Sequence, residues 1–385
     1  MENFTYCNPT KIVFGEGTIA KLNELIEPKA KILLTYGGGS IKKNGVYRQV
    51  KAALKKRKVI EFGGIEPNPT YETCIKAIKL GLKEKVNFVL AVGGGSVLDG
   101  SKFIAAGICY KGKDLWEIVK SYGQVVKTAL PLGTVITLPA TGSEMNAFGV
   151  ISRKSSTDKL AFGSPHGYPK FSILDPQTTY SLDKKQLRNG IVDTFVHVAE
   201  QYATVDLNTT LQDKYAESVF QTLVEIAPAV MGGKKNYDAR ATFMWTATQA
   251  LCGLLSCGVK GDWSTHGIGH QLTAFFDLAH AETLAIVLPS LWKYEMKNKA
   301  AKLAKLAQNV WGVKKGSTKQ KAAAAIKHTV KFFHSVGMPT SLKNYGITPR
   351  DIEKIVKRFA ERGWVIGENG DIDSKAVGKI LKMSL

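Results

Sequence analysis

Five apolar runs of strand length alternate with helical patterns through the first half of the chain. They are KILLTY (31–36), KVIEFGG (58–64), NFVLAVGGG (87–95), GTVITLPA (133–140) and FSILDP (171–176), several ending in Gly or Pro. The stretches between them, such as YETCIKAIKLGLKEK, repeat apolar residues every three or four positions. Strand and helix in strict alternation predict a parallel sheet covered by helices, because parallel neighbours need a crossover that an α-helix supplies. From about residue 186 the texture changes. NGIVDTFVHVAEQYA, DKYAESVFQTLVEIAPAVM and ARATFMWTATQALCGLLS read as helix after helix, with no convincing strand beyond them. The expected organisation is an α/β domain at 1–183 and an all-helical domain at 184–385, a length that gives each domain a core of its own.

Composition excludes several classes. No window reaches the roughly 18 to 20 apolar residues of a membrane span, and the start MENFTYCNPTKIVFGEG has neither a basic leader nor an apolar signal core. A cytoplasmic protein without a membrane partner is expected. The five cysteines, Cys7, Cys74, Cys109, Cys252 and Cys257, form no Cys-x-x-Cys pair and read as small buried apolar residues in a reducing compartment. The formal charge of +21 raises the possibility of a nucleic-acid partner. However, the lysines of KAALKKRK, KNKAAKLAKLA and KAAAAIKHTVKFF fall at spacings that suit the outer faces of amphipathic helices, and no recognition module accompanies them. No nucleic-acid role is expected.

Two glycine triplets follow strands. In AVGGGSVLDGSKFIAA (91–106), Gly93, Gly94 and Gly95 permit close backbone approach, and the helix that follows offers N–H groups and a dipole to an anion such as a pyrophosphate. The G-x-G-x-x-G fingerprint is incomplete, since its sixth position is Leu98. A structural tight turn is the alternative; the position after a buried strand favours the phosphate cradle. In TYGGGSIKKNG (35–45) no Asp or Glu is present to meet an adenosine ribose, so the loop favours NADP over NAD if a dinucleotide binds; a plain turn followed by surface lysines is the alternative. A third segment crowds Thr137, Thr141, Ser143 and Asn146 after a strand; alone, these residues read as caps and turns.

Asp193 and His197 lie four apart on a predicted helix and so share a face. Metal ligation and a simple intrahelical hydrogen bond both explain that pair. GDWSTHGIGHQLTAFFDLAHAETLA (261–285) adds His266 and His270, also four apart, and His280 across a short break. One carboxylate and three imidazoles suit a divalent ion such as Zn²⁺ or Fe²⁺. Spacing alone does not say which three of the four histidines bind, and favours His266 with His270. The absence of Glu after His266 removes the H-E-x-x-H protease reading.

The set GGGSVLDGSK, TLPATGSE, Asp193-x-x-x-His197 and DWSTHGIGHQLTAFFDLAHAETLAIVLP, with NPTKIVFGEGTI, MPTSLKNYGI and GENGDI at the two ends, resembles the iron-containing, or group III, alcohol dehydrogenases. The nearest branch is that of the NADPH-dependent butanol dehydrogenases and broad-range aldehyde reductases. The resemblance implies an N-terminal dinucleotide-binding domain, a C-terminal helical domain and a metal, Fe²⁺ or Zn²⁺, in the cleft between them. It implies metal ligands at Asp193, His197, His266 and His280, and leaves His270 beside the metal on the substrate side. NADP(H) contacts are implied at Gly37, Gly38 and Ser40 for the 2′-phosphate, at Gly94, Gly95, Ser96 and Asp99 along the pyrophosphate and nicotinamide, and at Thr137, Thr141, Asn146 and Lys159 around the rest. Thr178, where relatives often carry a larger apolar or aromatic residue, departs from the pattern.

The resemblance implies reversible hydride transfer between NADP(H) and a small or medium-chain aldehyde or alcohol, in a homodimer. Two other readings stand beside it. A metal-dependent lyase of the dehydroquinate synthase-like class would use the same ligands, and a nucleic-acid-binding protein would explain the charge directly.

Overall fold

A computed structural model describes residues 1–233 and 235–385 of the chain. It divides into two compact units, neither continuous in sequence: Cys7–Asp183 with Lys235–Cys252, and Met1–Tyr6 with Lys184–Lys234 and Gly253–Leu385. The change of texture near residue 184 is an edge of both units. The helix α6 (Tyr237–Ala250) nonetheless groups with the sheet. Its Thr248 Oγ1 donates to buried Glu144 and its Arg240 Nη1 donates to the Thr179 carbonyl, at 2.5 and 2.8 Å.

The first unit is built on a six-stranded, wholly parallel sheet in the order β1-β8-β5-β4-β2-β3. Its strands are β1 (Lys11–Phe14), β2 (Lys31–Tyr36), β3 (Lys58–Phe62), β4 (Phe88–Gly94), β5 (Leu132–Leu138) and β8 (Phe171–Leu174). Five of them are the five apolar runs. They read as nearly continuous apolar segments because both faces of the sheet are covered. Ile32, Leu34, Leu90 and Val92 pack into one core, while Leu33, Val89 and Ala91 pack into the other. The covering helices include α1 (Val46–Ala53), α2 (Tyr71–Glu84) and α3 (Gly95–Cys109). An antiparallel pair, β6 (Phe148–Arg153) and β7 (Asp158–Gly163), lies apart from the main sheet. The sequence reading saw no hairpin there, since its turn at 154–157 holds neither Gly nor Pro and is closed by Thr157 at a left-handed φ of 53°.

Strand order places the two glycine triplets. From β2 the chain passes outward to β3 and then returns to the opposite side of β2 to form β4. The order therefore reverses between β2 and β4, and the crevice outside the carboxyl ends at such a reversal is where open α/β sheets bind ligands. Gly37–Gly39 follow β2, and Gly94 ends β4.

The second unit is helical. Its longer helices are α4 (Lys184–Tyr202), α5 (Thr210–Met231), α7 (Ser264–Phe276), α8 (His280–Tyr294), α9 (Met296–Asn309), α10 (Thr318–Ser335), α11 (Pro349–Glu361) and α12 (Ser374–Met383). Among the described residues no helix is long and apolar enough to cross a membrane.

Two sequence expectations need correction. Cys7 is exposed and Cys109 half-buried, so only Cys74, Cys252 and Cys257 behave as core residues. Nor is KNKAAKLAKLA purely a solvated face, because Lys299 and Lys302 are buried. Lys302 Nζ reaches both carboxylate oxygens of Asp213 at 2.5 and 2.6 Å, which ties α9 to α5. A buried ammonium needs such a partner, and periodicity cannot see a carboxylate 89 residues away. Removing the partner alone strands a charge. Asp213→Ala is expected to cost about 3 kcal/mol in denaturant-unfolding free energy, and the Lys302→Met/Asp213→Leu pair to recover most of it.

Candidate active site

Asp193, His197, His266 and His280 each offer one ligand atom, and these four atoms lie within 4.8 Å of one another. The first two come from α4, a turn apart on a helix buried from Gly190 to Tyr202. His266 stands in the first turn of α7, and His280 is the first residue of α8. The break between α7 and α8 is a single left-handed residue, Asp277 at φ 54°, followed by Leu278 and Ala279. A second left-handed residue, Trp263 at φ 61°, begins α7 and sets its ring edge-on to His266, 5.4 Å between centroids.

The donor set fits one divalent ion. Metal–nitrogen bonds of about 2.1 Å in a tetrahedron put ligand atoms about 3.4 Å apart. Asp193 Oδ1 lies 3.6 Å from His280 Nε2 and 3.8 Å from His197 Nδ1. That oxygen is buried and has no hydrogen-bond donor. The His197 and His266 rings stack with centroids 4.9 Å apart, and His266 and His280 stand 5.1 Å apart. His270 is outside this group of four, its ring 5.5 Å from His280 and 6.1 Å from His266. The grouping is that of the family resemblance and not of helix spacing. A helix face sets direction, whereas the distance between α7 and α8 decides which rings converge.

Sequence reasoning missed Glu200. It sits on α4 three residues after His197, fully buried, where its carboxylate accepts from Thr265 N (2.6 Å), from His266 N (3.3 Å) and from His266 Nδ1. Burial pushes this carboxyl up to about 8, with the Asp262 charge adding to the effect and the Thr265 and His266 donors opposing it. The spacing Asp193, His197, Glu200 was available as a one-face pattern of i, i+4 and i+7. Glu282 was also missed. Its carboxylate accepts from Ala279 N at the start of α8 and meets Arg188 of α4 at 3.3 Å, bracing the helices that carry His280 and Asp193.

Behind α7 lies a buried charge cluster. Lys299 Nζ donates to Glu368 at 2.5 Å and to the Ala203 carbonyl at 2.7 Å, and stands 3.1 Å from Asp262. Burial would lower the Lys299 ammonium, but the Asp262 and Glu368 charges raise it above its ordinary value. Burial likewise works to raise Asp262, and Lys299 overrides it, so that carboxyl is held low. Glu368 is pushed up to about 7, by burial first and by Asp262 second.

In the sheet unit, several of the implied cofactor residues, Gly37, Thr141, Asn146 and Lys159 among them, gather around α3. Its N-terminus at Gly94 has no side-chain cap and no acid in the first turn, which leaves its N–H groups to an anion. A Cβ on Gly38 would enter open space, and one on Gly95 would strike Thr141 Oγ1 at 2.4 Å. The two loops meet at Val97, whose methyl lies 2.6 Å from a Cβ placed on Gly93 and 3.6 Å from one placed on Gly37. Ser96 Oγ accepts from Asn68 N, and Asn68 Oδ1 accepts from Lys159 Nζ at 2.8 Å. Asn68 was another residue missed from sequence.

Asp99 accepts from Ser143 Oγ and Val150 N at 2.7 and 3.0 Å, and burial raises its carboxyl. Asn146 Oδ1 accepts from buried Lys102 and from Phe148 N, while its amide nitrogen donates to Thr141 O and Leu251 O. These two side chains thus hold the loop after β5 together. Thr137 is buried near the end of β5. Ser40 opens a short helix behind Gly39, which has a left-handed φ of 98°. Thr178 is buried, its hydroxyl donating to Asp175 O and Ile136 O, and it lines an open groove with Asn44, Gln49, Asp175, Tyr180 and Ser181.

Residues 9–176 match the family model of iron-containing alcohol dehydrogenases, and residues 188–385 match that of the Fe-containing alcohol dehydrogenase family, C-terminal. The chain belongs to the iron-containing alcohol dehydrogenase family. It is 51% identical to the NADPH-dependent aldehyde reductase YqhD of Escherichia coli over 97% of each chain. A crystal structure of that protein matches it with a TM-score of 0.98, at 49% identity over 100% of this chain and 99% of the other. An NADP-dependent alcohol dehydrogenase of Entamoeba histolytica is 42% identical over 99% of this chain and 98% of its own. The structure of NADH-dependent butanol dehydrogenase A from Thermotoga maritima matches with a TM-score of 0.94, at 38% identity over 100% and 99%.

One pH dependence follows from the charge cluster. Glu368 keeps its proton in the folded chain up to about 7 but loses it near its ordinary 4.5 when unfolded. Its contribution to stability is full below about 4.5 and is lost as pH rises through about 7. Glu368→Gln cannot ionise, so the wild type is expected to lose on the order of 2 kcal/mol relative to that variant between pH 5 and 8. Thermal unfolding of both proteins across that range measures it, and parallel curves would contradict it.

Proposed function

We propose that this chain is an NADP(H)-dependent, metal-dependent alcohol dehydrogenase that acts as a reductase of small or medium-chain aldehydes. The observation that carries this reading is the convergence of Asp193, His197, His266 and His280, in a chain half identical to an NADPH-dependent aldehyde reductase. NADP(H) rather than NAD(H) is supported by the loop after β2, which has Gly37, Gly38, Gly39 and Ser40 where an acidic side chain would repel a 2′-phosphate.

In this reading Asp193, His197, His266 and His280 hold one Fe²⁺ or Zn²⁺ ion; one oxygen and three nitrogens accept either. The ion would supply Lewis acidity toward a carbonyl oxygen, and NADPH would supply the hydride. Asp193 contributes the single negative charge of the ligand set and the imidazoles none, so a loaded site keeps a net positive charge toward an oxygen that gains electron density. The N-terminus of α3, with Gly94, Gly95 and Ser96, receives the pyrophosphate. Gly37, Gly38 and Ser40 take the 2′-phosphate, and Asp99, Thr137, Thr141, Asn146 and Lys159 shape the rest of the cofactor site. His270 passes a proton through its ring nitrogen to the product oxygen, since imidazole exchanges protons near neutral pH. A cytoplasmic homodimer completes the reading, two-fold dimers being the commonest symmetric assembly.

The decisive experiment measures NADPH oxidation with aldehydes of graded chain length, using metal-stripped protein reconstituted with Zn²⁺ or Fe²⁺. Turnover that depends on metal is expected, and silence with both ions would refute the proposal. His280→Ala is expected to lose both bound metal and turnover. His270→Ala is expected to keep the metal and lose roughly 10²- to 10⁴-fold in rate. Metal analysis of the two purified variants checks the division, and loss of metal from the His270 variant would overturn it.

A further inference from the structure

We propose that Glu200 is a positioning residue for the metal site, holding the His266 imidazole as the tautomer protonated at Nδ1 and so presenting Nε2 as the ligand atom. The inference rests on the reading of Asp193, His197, His266 and His280 as a metal site. It starts from a helix end without a local cap. The first turn of α7 has N–H groups that no residue of its own helix can satisfy. Trp263, which stands in the N-cap position, gives no side-chain cap, since an indole N–H can donate but offers no acceptor to the helix N–H groups. The missing acceptor comes from α4 instead: Glu200 Oε1 accepts from Thr265 N at 2.6 Å, and Oε2 accepts from His266 N at 3.3 Å.

The same Oε2 also meets His266 Nδ1. Backbone amide and ring of one residue therefore share one oxygen atom, which fixes the ring's rotation relative to its own helix. Both oxygens of Glu200 already accept from backbone N–H groups of α7, so the Nδ1 that faces Oε2 is placed to donate, and Nε2, turned away from Glu200, keeps its lone pair. A metal-ligating histidine works this way when its second nitrogen donates to a carboxylate, which orients the ring and raises its basicity. Glu200 further belongs to the same helix as Asp193 and His197, three residues beyond the latter. The group that aims the third ligand is thus in rigid register with the first two.

Glu200→Gln has one acceptor oxygen for three donors and can turn its NH₂ group toward Nδ1, which would favour the wrong tautomer. Zinc affinity, measured by chelator competition on the full chain, is expected to fall 10- to 100-fold. Glu200→Asp, with both acceptor oxygens retained but one methylene lost, is expected to fall between Gln and wild type. A Gln variant that binds zinc within threefold of wild type would overturn the proposal and leave Glu200 a helix cap only. A second measurement needs no variant to fold. In ¹⁵N-histidine spectra of the wild-type protein, metal-free and zinc-loaded, His266 is expected to carry its proton on Nδ1. A proton on Nε2 would overturn the proposal. Absence of zinc binding by the wild type would sink the metal reading itself, while the metal-free spectrum would still decide the tautomer.

Discussion

Charge taken out of water must find a partner, and this requirement organises the helical unit. Helix α4 buries the carboxyl groups of Asp193 and Glu200 within two turns, and a carboxylate so buried costs several kcal/mol unless donors or cations meet it. Glu200 is met by three donors from α7, and Asp193 faces imidazoles from α4 and α8. Arg188 with Glu282, Lys302 with Asp213, and Lys299 with Asp262 and Glu368 repeat the pattern at other helix contacts. The Arg188–Glu282 and Lys302–Asp213 pairs each tie one helix to another, and Lys299 ties α9 to the loops that carry Asp262 and Glu368.

The sheet unit solves a different problem. A phosphate needs donors but little side-chain bulk, and the two reversal-point loops provide backbone and open space. Around them two hydrogen-bonded pairs, Ser143 with Asp99 and Lys102 with Asn146, tie the loop after β5 to α3. Residues that a family pattern marks for the cofactor therefore also hold the loop that would receive it.

Much of this was legible in the sequence. The five apolar runs became five parallel strands because strands covered on both faces leave an uninterrupted apolar signature. The Asp193–His197 pair and the 266–280 stretch pointed to the helices whose side chains come together for the same reason: a helix face is a local property. What escaped was non-local. The spacing of His266 and His270 suggested a joint role, but the position of α8 decided that His280 joins the cluster. Glu200, Asn68 and Glu282 act through partners tens of residues away, and the buried lysines of α9 looked like surface because their carboxylates lie on other elements. Helix α6 shows the same limit at the level of units: its texture is helical, while its hydrogen bonds go to the sheet.

Helix α7 is bounded by two left-handed residues that are not glycine, Trp263 and Asp277. It can lengthen at neither end without moving one of them out of that conformation. Since each residue turns an α-helix by about 100°, one inserted or deleted residue inside 264–276 would swing His266 away from Glu200 or carry His280 off its place at the head of α8. The segment therefore behaves as a fixed-length spacer. Its residue count is as constrained as the identity of His266.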